Sequence, residues 1–144
     1  MLFDTPTPTE LSRIIGQITA PAFLLGAVAA FIALLLARLR QVIDRTQELN
    51  QIADDDKARA PLKADIPRLH RRARLLNRSV EYAAISAIVV TALMFVAFVS
   101  AFIHVQHERG VALLFLVALA FFAAALVNLV RETRIALHEF DFHK

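Results

Sequence analysis

The chain has no cysteine among its 144 residues, which excludes disulfides, thiolate metal sites and thiol catalysis. Only three glycines occur, and none builds a Gly-rich phosphate loop. No serine sits in a nucleophile motif. Charge is missing where it matters most: residues 14–37, 82–103 and 110–130 contain no Asp, Glu, Lys or Arg. Intramembrane catalysis and ion pumping need ionisable or well-placed polar groups inside such stretches, and the polar residues there are few: Gln17, Thr19, Ser86, Thr91, Ser100 and Asn128. No enzymatic activity, cofactor or metal is expected.

What is present is apolar: 58% of the residues are hydrophobic, against about 45–50% in soluble domains. Each uncharged run is long enough to cross a hydrocarbon layer of ~30 Å as a helix rising ~1.5 Å per residue. The sequence therefore predicts an all-α integral membrane protein with three transmembrane helices, over about residues 17–37, 82–103 and 111–130. One membrane unit accounts for residues 1–144, with a hairpin over about 38–81. The leader MLFDTPTPTE is acidic and lacks a positive n-region, so the first run reads as a retained span and not as a signal peptide.

Charge distribution predicts orientation. Eleven of the sixteen basic residues lie in residues 38–78, and Arg131, Arg134 and Lys144 follow the third run. Only Arg13 precedes the first run, and only Arg109 lies between the second and third. The positive-inside rule puts the long loop and the C-terminus in the cytoplasm and the N-terminus outside.

Thr7-Pro8-Thr9-Glu10 has the form of a capping box, with Pro8 at the first helical position. Pro21 is expected to kink the first helix near Gln17. Beyond the membrane, Leu35, Leu39, Val42, Thr46, Leu49 and Ala53 recur at alternating spacings of four and three. Ile66, Leu69, Ala73, Leu76, Val80 and Ala83 do the same on the returning chain. Paired in reverse order, Leu35 with Ala83 through Ala53 with Ile66, the seams describe an antiparallel helical hairpin projecting roughly 20 Å. This register sets Asp44 near Arg74 and Arg78, and Glu48 near Arg71 and Arg72. Residues 54–64 read as an exposed tip, and Asp65 as the N-cap of the second helix. The third helix is expected to continue through residues 131–137.

Arg38, Arg40, Arg45, Arg71, Arg72, Arg74 and Arg78 form a basic collar at the predicted inner surface. Of these, Arg38, Arg45, Arg71, Arg74 and Arg78 are the candidates for an anion or lipid-phosphate site, because guanidinium binds phosphate bidentately. The alternative is topology and snorkelling, with Asp44, Asn77, Glu48 and Glu81 forming a structural network. Interleaved acids and nearness to the membrane argue against nucleic acid as a partner. His104, His107 and Glu108, and in the tail His138, Glu139, Asp141 and His143, have spacings that metals can use but sit in exposed segments. Asn128 is a candidate for lining a pore or bonding another helix. Small residues recur every four positions at Ala22, Gly26 and Ala30, at Ser79, Ala83 and Ala87, and at Ala120 and Ala124. Such faces let helices approach closely, so a homo-oligomer is expected.

The stretches LLARLRQVIDRTQEL (35–49) and LHRRARLLNRSVEYAAISAIVV (69–90) resemble the domain of unknown function 2721 family of small bacterial inner-membrane proteins. That family carries Arg-Leu-x-Arg-Val-Ile-Asp-Arg after its first span and Arg-Arg-Ala-Arg-Leu-Leu-Asn-Arg before its second. Arg38, Leu39, Val42, Ile43, Asp44 and Arg45 match the first block, with Arg40 and Gln41 offsetting its second arginine. Residues 71–78 match the other block, and the likeness covers roughly residues 11–137. It implies a bacterial inner-membrane location and brings no activity; Arg38, Asp44, Arg45, Arg74, Asn77 and Arg78 are the positions it would mark. Two functions fit these features. The first is a homo-oligomeric passive ion-conducting pore with an arginine-rich cytoplasmic mouth. The other is a non-enzymatic scaffold or anionic-lipid-binding adaptor that presents its hairpin to a cytoplasmic protein.

Overall fold

A computed structural model describes residues 7–103 and 108–141, with side chains described up to residue 137 and from residue 109 in the second stretch. Helix α1 runs over Pro8–Asn50, a short 3-10 helix over Ala60–Asp65, α2 over Ile66–Phe102 and α3 over Glu108–Asp141. No strand occurs among the described residues.

The start of α1 is set by its sequence. The Thr7 N–H donates to Glu10 Oε2 at 2.9 Å, and the Glu10 N–H returns to Thr7 Oγ1 at 3.4 Å, forming the reciprocal capping box. Thr7→Ala removes the cap oxygen and should cost about 0.5–2 kcal/mol locally. Faster amide exchange over the first turn, with the rest of the helix unaffected, is the measurement that checks it. Helix α1 is unbroken through Pro21. It ends at Asn50, one turn short of the expected seam, so Ala53 lies in the connection and has no helical partner position. The tip is more ordered than an open turn. The Asp56 side chain accepts from the N–H groups of Ala58 and Arg59, and Lys63 bonds Asp54 at 2.6 Å. That hydrogen bond, and then the ammonium charge, hold the Asp54 carboxyl below its usual range. Helix α2 starts at Ile66, directly after Asp65.

The residues divide into two compact units. The first holds residues up to Phe31 and Tyr82–Ala123. Its buried positions are Ile18, Pro21 and Val28 on α1, Ala83, Ser86, Val90 and Leu93 on α2, and Ala118 on α3. Phe31 meets Phe122 edge-on, with ring centroids 5.4 Å apart. The second unit holds Ile32–Glu81 and the chain from Ala124. It buries Leu35, Val42 and Leu49 on α1, Leu69, Leu76 and Ser79 on α2, and Ala125, Asn128 and Glu132 on α3. Rows of buried positions step by seven, at 21, 28, 35, 42 and 49 on α1, at 69, 76, 83 and 90 and at 79, 86 and 93 on α2, and at 118, 125 and 132 on α3, the spacing at which helices interlock side chains along a narrow seam. Leu35, Val42, Leu49, Leu69, Leu76 and Ala83, six of the seam positions expected from the sequence, are all buried.

The outer surfaces are apolar. Phe23 is 83% exposed, Phe95 69% and Ile88 67%, and Leu113 and Leu116 stand out on α3. All three long helices contain a stretch long and apolar enough to cross a membrane, and most of each stretch is not covered by the protein itself. Water would penalise such a surface, whereas hydrocarbon does not.

Candidate functional site

Helices α2 and α3 are joined by a polar ladder. In the first unit the Ser86 hydroxyl donates to the carbonyl of Ala118 at 2.8 Å. In the second, Ser79 donates to the carbonyl of Ala125 at 2.6 Å, and Arg72 Nε donates to Glu132 Oε1 at 2.9 Å. Each step moves seven residues back along α2 and seven forward along α3, as antiparallel helices in fixed register require. Serine reaches a neighbouring backbone only when the helices approach closely. Ala118 and Ala125, both fully buried, leave room for that approach. The carbonyls can accept because each oxygen has a second lone pair beyond its helical bond.

The last rung is ionic and draws in α1. The Glu132 side chain is 0% exposed, and its Oε2 accepts from Arg38 Nη1 at 3.1 Å. The same Arg38 nitrogen donates to Thr133 Oγ1 at 3.2 Å, and the Thr133 hydroxyl donates in turn to the carbonyl of Leu129. One carboxylate thus takes guanidinium bonds from two helices while sitting on a third. Arg38 is 39% and Arg72 20% exposed at the side chain. Arg38 and Arg72 both bond this one carboxylate, each to a different oxygen.

The other predicted site residues do not join this cluster. Arg45 pairs with Glu48 along its own helix at 2.9 Å, and the Asn77 amide donates to Glu81 at 2.8 Å. The expected pairings of Asp44 with Arg74 and Arg78, and of Glu48 with Arg71 and Arg72, are not formed. Asp44, Arg71, Arg74 and Arg78 lie on exposed faces, and among the described residues none of them makes an ion pair. Arg72 instead occupies the seam position facing α3 and reaches Glu132. Asn128 is 8% exposed within one chain. Among the described residues no group of three possible metal ligands occurs. His104, His107 and His143, and the side chains of Glu108, His138, Glu139 and Asp141, lie outside the described residues.

Glu132 did not stand out in the sequence, because Arg131 and Arg134 beside it read as topology charges. A periodic signal was available: Glu132 lies seven residues after Ala125 on the face that meets α2, and Arg72, Ser79 and Ser86 form a matching polar series.

Three apolar helices of spanning length, tied by bonds that satisfy their buried polar groups internally, define a polytopic membrane protein. Residues 18–142 match the family described as "Protein of unknown function (DUF2721)", and the chain belongs to it. No curated protein and no solved structure matches this chain.

Proposed function

We propose that the protein is a non-enzymatic membrane scaffold of the bacterial inner membrane, with its N-terminus outside, its C-terminus in the cytoplasm and its α1–α2 hairpin offered to a cytoplasmic protein. The observation that supports it is an open cleft of about 460 Å³ at the hairpin end. Leu49, Ile52 and Leu62 give it an apolar floor, and Arg45, Arg59 and Glu48 stand around it. Arg45 is paired with Glu48 and Arg59 with Asp56, so an apolar side chain for the floor, with a carboxylate that competes for the exposed Arg59, suits the cleft.

The pore reading is weaker on physical grounds. A water-filled path through several copies needs a polar stripe along an outer helix face. Here the hydroxyls of Thr19 and Thr91 bond carbonyls of their own helices, and Ser79 and Ser86 are spent on α3. Arg38, expected at the mouth, is bonded to Glu132. The face carrying Ala22, Gly26 and Ala30 stays exposed in the single chain, so self-association in lipid belongs to the scaffold reading as well.

A photo-reactive side chain placed at Leu62 in living cells tests the proposal. Reproducible adducts with one other cytoplasmic protein, reduced by Arg59→Glu, are expected. Adducts with copies of this chain alone would refute the partner reading. Purified protein in planar bilayers should give no conductance above a protein-free control; steady anion or cation currents would return the pore to first place.

A further inference from the structure

Whereas Arg45 is held by an exposed acid on its own helix, the Arg38 guanidinium is held by two side chains of another helix and still has an open edge. Its Nη1 donates to Glu132 Oε2 and to Thr133 Oγ1, which uses both hydrogens of that nitrogen. Nε and Nη2 have no partner among the described residues, and the side chain is 39% exposed. These two nitrogens form the side-on fork of a guanidinium, the edge that grips two oxygens at once. Glu132 lies on the Nη1 side and leaves the fork itself uncovered. Arg38 is also the first charged residue after the uncharged run 14–37, as Arg131 is after 110–130. Both chain segments therefore leave the apolar layer at the level where headgroup phosphates lie.

We propose that the Nε–Nη2 edge of Arg38 binds the phosphate of an anionic phospholipid headgroup, in the leaflet where the first span ends. Glu132 and Thr133 act as positioning residues, holding the guanidinium plane so that the fork meets the phosphate without first losing rotamer freedom. Arg40, Arg71, Arg74 and Arg78 supply exposed charge nearby, without a comparable set of bonds to fix them. The site stands on its own geometry and does not depend on the hairpin having a protein partner.

Native mass measurement of the full chain in detergent, with phosphatidylglycerol added, reads the site directly. Wild-type protein should retain one phosphatidylglycerol and should not retain diacylglycerol, which has the same chains and no phosphate. Equal retention of the two would overturn the proposal without any variant. Arg38→Lys keeps a cation for Glu132 but loses the fork, and should weaken retention about tenfold, the scale of a lost charge-assisted hydrogen bond. Arg40→Gln, which removes a full charge from an exposed position, should change it by less than about twofold. Unchanged binding in Arg38→Lys, or an equal fall in Arg40→Gln, would show nonspecific charge attraction instead. A large excess of inorganic phosphate should leave the lipid bound, since acyl chains add apolar contact that a free ion lacks. Full displacement would assign the fork to a soluble anion and overturn the lipid assignment.

Discussion

Glu132→Ala is expected to destabilise the protein by about 1.5–3 kcal/mol, the scale of hydrogen bonds to charged groups, since the arginines left behind are 39% and 20% exposed and can be solvated. The side chain is fully buried, and its two oxygens take separate guanidinium bonds at 3.1 and 2.9 Å. Without it, two arginines lose their shared counterion and face each other as like charges near one helix seam. Glu132→Gln should cost less, because the amide oxygen still accepts one of the two bonds. The informative contrast is the triple replacement of Arg38, Arg72 and Glu132 by Met, Met and Leu. Exchanging a whole ionic cluster around a buried carboxylate for packed apolar groups is expected to be close to neutral, because the desolvation cost of Glu132 is removed together with its bonds. Reversible unfolding in detergent micelles or bicelles measures all three. If the triple variant loses as much as Glu132→Ala, the cluster is not acting as one ionic unit.

Leu76→Ala should cost about 2–5 kcal/mol, the range for emptying a fully buried leucine site. Leu76 lies in the second unit, where Val42 and Leu49 on α1 and Leu69 on α2 are also buried. With Leu35 and Ala125 these side chains are the buried apolar content of the charged half, so the loss of Leu76 removes a large share of it. Ile88→Ala serves as the control. Ile88 is 67% exposed on an apolar stretch, and its loss should change stability by no more than about 0.5 kcal/mol. Equal effects from the two changes would mean that the seam does not carry the packing.

The spans were legible because hydrocarbon imposes a simple rule, a long run without charge, and residues 14–37, 82–103 and 110–130 obey it. The α1–α2 seam was legible for a related reason: Leu35, Val42, Leu49, Leu69 and Leu76 recur at the helical interlocking period against a polar background. The α2–α3 seam was harder to see. Inside an all-apolar segment, the face that packs on protein and the face that meets lipid have the same composition. Ala118 and Ala125 carry no more signal than the exposed Ala120. The small-residue series at Ala22, Gly26 and Ala30 illustrates the same ambiguity, since that face is uncovered in the chain. Charge matching between the hairpin arms misled, because it treated α1 and α2 as an isolated pair. The third helix brings Glu132, and a buried carboxylate attracts Arg38 and Arg72 more strongly than exposed acids such as Asp44 or Glu48.

The account rests on the charged hairpin projecting to the cytoplasmic side. The natural absence of cysteine makes this directly measurable with one introduced thiol. Asp55→Cys, at the tip, should react with a membrane-impermeant maleimide in inside-out inner-membrane vesicles and stay unreactive in intact right-side-out ones. Labelling from the outer face alone would contradict the proposed orientation, and with it the scaffold reading.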